Sequence, residues 1–125
     1  MLSTQSLVVG AGLFFLFIFL SGIWLTRSGK PYSGAVLTVH KLVSLAAVVL
    51  FIVALVRTNR EATLSTIELS AGVVTGLLFL GTIVTGGLLS TDKPMPEAVL
   101  TLHRISPPLT VISTAVALYF LLPRK

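Results

Sequence analysis

No charged side chain interrupts the chain between Met1 and Thr26, and three more long apolar runs follow, each bounded by charged residues. Such a stretch exceeds the roughly 20 residues a helix needs to cross the hydrocarbon of a bilayer. Inside hydrocarbon the backbone must satisfy its own polar groups, and continuous apolar runs do this as helices. The first run closes at Arg27 and Lys30, the second extends from Ser33 to Arg57, the third from Leu69 to Thr91, and the fourth from Pro96 to Leu122. Thr58 and Glu61 have capping-box spacing, which starts the third helix earlier than its apolar run. Pro96 suits a first turn, and Pro123-Arg124-Lys125 closes the last helix. The expected helices are therefore about 5–26, 33–57, 60–90 and 96–122.

Short connections make neighbouring helices antiparallel, so the expected fold is all-α, an integral membrane up-and-down four-helix bundle. A start without basic residues and the poor cleavage site Ser21-Gly22-Ile23-Trp24 argue against a cleaved signal peptide and for a retained first helix. Composition agrees: 54% of residues are hydrophobic, 10% are charged, and the mean hydropathy is +1.01. This places the protein in a membrane as a multi-pass chain, with a cytoplasmic membrane of prokaryotic type as the expected location. The net charge of +5 comes from cations at the ends of apolar runs, where they meet headgroups. No basic stripe interleaved with aromatics occurs, so nucleic acid is not an expected partner. Cysteine is absent, which removes disulfides, thiolate metal sites and thiol redox chemistry. Orientation is undecided by charge: Arg27, Lys30, Lys41, Lys93 and Arg104 lie on one side, against Arg57, Arg60, Arg124 and Lys125 on the other.

The halves of the chain resemble each other. Ala35-Val36-Leu37-Thr38-Val39-His40-Lys41 recurs as Ala98-Val99-Leu100-Thr101-Leu102-His103-Arg104, an offset of 103 − 40 = 63. Lys30-Pro31 falls on Lys93-Pro94 at the same offset, while Gly12-Leu13-Phe14-Phe15 matches Gly76-Leu77-Leu78-Phe79 one position out of register. The reading is two tandem helical-hairpin repeats, 1–60 and 61–125, related by an axis along the membrane normal.

The repeat puts His40 and His103 at one depth, about seven residues inside their helices, or roughly 10 Å from the helix start. Ionisable groups at that depth are costly and tend to face the bundle interior. On diagonal helices two inward imidazoles leave a gap, and haem fills such a gap well, being flat, apolar and open to axial nitrogen ligands on both faces. His40 and His103 are thus the candidate ligands of a haem iron. Gly22 and Gly86, on the first and third helices at about the same depth, are the candidate space-making residues. Lys41 and Arg104 follow the histidines directly and are candidate partners for the propionates, as are Arg27, Lys30 and Lys93. Pro107 and Pro108 deprive the carbonyls of His103 and Arg104 of amide donors, so a kink is expected there, whereas the first half carries Ser44 at the matching position. Glu68 lies near the opposite surface, with either a proton-transfer or quinone role or an ion pair with Arg57, Arg60 or Lys125. Trp24, Tyr32 and Tyr119 read as interface belt residues.

Histidines on the second and fourth helices, with glycines on the first and third, resemble the layout of four-helix membrane b-type cytochromes. These include the cytochrome b-561 group and the haem-bearing half of quinol-oxidising cytochrome b proteins. The resemblance implies one haem b per chain, since two histidines serve one iron, and electron transfer between a membrane quinone or haem partner and an acceptor at one surface. A homo-oligomer and a redox partner protein are both compatible with it. Two alternatives remain open on the residues alone: a cofactor-free structural or assembly subunit of a membrane complex, and a quinone- or lipid-binding protein. Zinc is served less well, because two imidazoles leave its other positions unfilled.

Overall fold

In a computed structural model the described residues are 2–91 and 93–122. They form four helices: α1 (Thr4–Ser28), α2 (Gly34–Ala62), α3 (Thr66–Leu89) and α4 (Glu97–Leu121). Each is long and apolar enough to cross a membrane. Pro123, Arg124 and Lys125, expected to close the last helix and to lie near Glu68, fall outside the described residues.

Local chemistry sets each boundary. Ser3 caps α1 by accepting from the Ser6 amide at 3.1 Å, and Gly29 ends it in the left-handed region (φ 69°), its amide returning to the Leu25 carbonyl at 3.1 Å. The Lys30–Pro31 bond is cis, and the Lys30 ammonium lies over the Tyr32 ring. Ser33 caps α2, which then continues to Ala62. This is longer than the helix ending near residue 57 that the charges suggest. Arg57, Thr58, Asn59 and Arg60 are polar, but no glycine or proline breaks the helix there. It stops at Thr63, whose φ is +36°.

The capping box of α3 is consequently not the one expected. Thr58 lies inside α2, and the reciprocal pair is Ser65 with Glu68: the Glu68 amide donates to Ser65 Oγ at 3.3 Å, and the Ser65 amide donates to Glu68 Oε2 at 2.8 Å. In α4 the helix runs unbroken through Pro107 and Pro108. Hydroxyls flank the prolines, Ser106 Oγ bonding the Leu102 carbonyl and Thr110 Oγ1 bonding the Ser106 carbonyl. The carbonyls of His103 and Arg104 still lack the amide normally found four residues on.

The chain divides into two compact units, one holding α1 and α2 through Thr63, the other Leu64–Phe120. The first is an antiparallel hairpin: Thr4 near the start of α1 donates to the Glu61 carboxylate near the end of α2 at 2.9 Å, and Arg57 donates to the Leu2 carbonyl at 2.7 Å. Its buried side chains include Leu7, Val8, Ala11, Ala47, Val48 and Ala54, packed with the aromatic ring of Phe51. The second hairpin is bound differently. Thr75 Oγ1 meets Ser113 Oγ at 2.5 Å, and Thr82 Oγ1 meets Thr110 Oγ1 at 3.5 Å, so hydroxyls join α3 to α4 where the first hairpin buries hydrocarbon. Leu13, Leu77 and Ile112 are each more than 60% exposed, an outward display that suits lipid better than water.

Candidate functional site

His40 and His103 occupy equivalent positions in their helices. Each lies six residues beyond the first helical residue (40 − 34 and 103 − 97), about 9 Å along the axis. Both are half-buried, and each is positioned by the preceding helix of its own hairpin.

In the first unit the His40 ring lies against Gly22. A Cβ added there would stand 3.3 Å from His40 Cε1. Ser21, one residue earlier on α1, places its Oγ 2.7 Å from His40 Nδ1. The same hydroxyl also lies 2.9 Å from the Ile18 carbonyl. On the helix of the histidine itself, Ser44 Oγ donates to the His40 carbonyl at 2.6 Å.

The second unit repeats the arrangement with different atoms. The His103 ring packs so closely on Gly86 that a Cβ would stand 2.8 Å from Cε1 and 3.4 Å from each ring nitrogen. Thr85, again one residue before the glycine, has its Oγ1 3.0 Å from His103 Nδ1. It also donates to the Gly81 and Thr82 carbonyls, at 2.9 and 3.1 Å. A Cβ at residue 86 would meet the ring below normal carbon–carbon contact distance, so a side chain there forces the imidazole to move.

The hydroxyls were the part of the site not anticipated from the sequence. A signal was present: Ser21-Gly22 and Thr85-Gly86 stand at the same offset of 64 as the phenylalanine-bearing segments upstream, so each glycine carries a small hydroxylic residue on its N-terminal side. The histidines obey an offset of 63. The helices that carry the histidines are therefore shifted by one residue against those that carry the glycines, and the contact survives in both hairpins.

Other expected site residues lie elsewhere. Lys41 and Arg104 are exposed, one residue beyond their histidines and so about 100° around the helix from them. Neither is drawn into the imidazole–glycine contact. Glu68 is buried and its carboxylate closes the capping box of α3. Arg57, expected as one of its partners, donates to the Leu2 carbonyl. No group of three or more His, Cys, Asp or Glu side chains placed to hold a metal ion occurs among the described residues. Comparison with protein-family models, curated proteins and solved structures gives no match.

Proposed function

We propose that this protein is a membrane-embedded b-type cytochrome in which the imidazoles of His40 and His103 would hold one haem b. It passes electrons between a membrane quinone or haem partner and an acceptor at one membrane surface. The four helices span the bilayer as two hairpins, and their exposed apolar side chains meet lipid.

The observation that carries this reading is the recurrence of one arrangement in both hairpins. A half-buried imidazole lies on a glycine, with Nδ1 engaged by the hydroxyl of the residue before it. Iron-binding histidines characteristically tie up one ring nitrogen in a hydrogen bond that fixes ring orientation and present the other to the metal. The donor set fits haem: two neutral nitrogen ligands at one helical depth in apolar surroundings, with no thiolate in the chain to compete. When bound, haem supplies reversible one-electron chemistry at iron. The chain's own residues hold the imidazoles, keep water from them with lipid-facing hydrocarbon, and present Lys41 and Arg104 as cations for the propionates.

The absorption spectrum of protein purified after expression with ample haem tests the proposal. The expected result is a b-type haem band in the unsubstituted chain that is lost or displaced in His40→Ala and in His103→Ala. No band, or a band indifferent to both substitutions, overturns it and leaves a cofactor-free membrane subunit.

A further inference from the structure

The hydroxyls of Ser21 and Thr85 have one proton each, and the geometry decides where it goes. A backbone carbonyl oxygen can only accept. The 2.9 Å approach of Ser21 Oγ to the Ile18 carbonyl is therefore attractive only if the hydroxyl proton points at that carbonyl. With its proton committed, Ser21 Oγ can only accept from the ring nitrogen 2.7 Å away. The same holds for Thr85, whose proton is shared between the Gly81 and Thr82 carbonyls, so that its oxygen accepts from His103 Nδ1.

We infer that Ser21 and Thr85 are positioning residues that hold His40 and His103 as Nδ1–H tautomers, through a relay running from ring N–H to hydroxyl to backbone carbonyl. A neutral imidazole with its proton on Nδ1 has its lone pair on Nε2. Both rings are thereby set to coordinate through Nε2 before any ligand arrives. What that lone pair binds rests on the cytochrome reading; the tautomer rests on the hydroxyl geometry, joined at His103 by a hydrogen bond to the Thr82 backbone.

The two relays are not equal. Ser21 makes the shorter contact with its imidazole, 2.7 Å against 3.0 Å, and sends its proton to one carbonyl, whereas Thr85 divides its own between two.

Nitrogen-15 NMR of the full-length protein in detergent micelles, free of haem and at about pH 8, where an ordinary imidazole is neutral, reads the tautomers directly. The expected result is the Nδ1–H signature for both rings. Ser21→Ala should return His40 to a mixed population while His103 is unchanged, whereas Thr85→Val should act more weakly on His103, which keeps its hydrogen bond to the Thr82 backbone. Ser21→Thr should retain the wild-type signature, because it keeps the hydroxyl. Nε2–H rings in the unsubstituted chain overturn the inference even if a variant fails to fold, and so does a His40 signature indifferent to Ser21→Ala. On haem titration, Ser21→Ala should bind about tenfold to a hundredfold more weakly, the usual effect of removing such a partner. A chain that shows both Nδ1–H rings yet takes up no haem supports the positioning role and overturns the cytochrome reading.

Discussion

His103 stands over Gly86 with no space for another carbon, since a Cβ at that position would come within 2.8 Å of the ring's Cε1. His40 is looser over Gly22, at 3.3 Å. Gly86→Ala should therefore displace the imidazole and lower stability by about 1–3 kcal/mol, the usual range for overpacking, while Gly22→Ala should cost less. Thermal unfolding of the two variants in the same detergent checks the order. Equal effects would show that the glycines are not matched to the rings.

The reciprocal pair Ser65 and Glu68 begins α3, with the Ser65 amide donating to the carboxylate at 2.8 Å. Ser65→Ala removes one side of the cap and should lower stability by about 1 kcal/mol. Amide exchange should quicken in the first turn of α3 and stay unchanged in α1. First-turn amides indifferent to Ser65→Ala would show that the Ser65 hydroxyl does not hold the Glu68 amide in solution.

Thr75 and Ser113 share a hydroxyl contact between α3 and α4 of 2.5 Å, shorter than the 3.5 Å between Thr82 and Thr110. A double-mutant cycle with Thr75→Val and Ser113→Ala should yield a coupling near 0.6 kcal/mol and no more than about 1.7 kcal/mol, the span seen for such bonds between membrane helices. Additive effects, with no coupling, would remove the hydroxyl pair from the forces joining α3 to α4.

Thr114 gives the opposite sign. It is 4% exposed, and its hydroxyl finds no hydrogen-bond partner among the described residues. A buried polar group left in this state costs about 1–3 kcal/mol. Thr114→Val keeps the shape and removes the hydroxyl, so it should raise the unfolding midpoint or leave it unchanged. Thr75→Val, which breaks a made bond, should lower it. Denaturant titration of both variants separates them, and a marked loss of stability in Thr114→Val would reveal a partner for that hydroxyl.

The four helices were legible because length and the absence of charge are nearly sufficient for a membrane-crossing segment. The depth that His40 and His103 share with Gly22 and Gly86 was legible, but it suggested room for a cofactor, and the structure instead lays each imidazole on the glycine of its own hairpin. The hydroxyls were harder to see, because serine and threonine are ordinary residues in apolar helices and their one sequence mark is the recurrence of Ser21-Gly22 as Thr85-Gly86; contact with an imidazole is what gives them a role. The α2–α3 junction misled for a different reason. Thr58 and Glu61 carry the same spacing as Ser65 and Glu68, and spacing alone does not reveal which serine or threonine follows a chain reversal. The left-handed backbone of Thr63 decides that, and threonine is not a residue that announces such a conformation. Glu68, a lone acid near a span, suits either proton transfer or an ion pair by sequence, and the structure adds that the Ser65 amide donates to one of its carboxylate oxygens.

Because each imidazole takes its orientation from a glycine and a hydroxyl fewer than 20 positions upstream, its setting is complete once two successive spans have come together. A nascent chain emerging into the membrane would carry the first imidazole already set against its glycine and hydroxyl while the second hairpin was still being synthesised. Any ligand that either ring takes would then meet a side chain oriented in advance by its own hairpin.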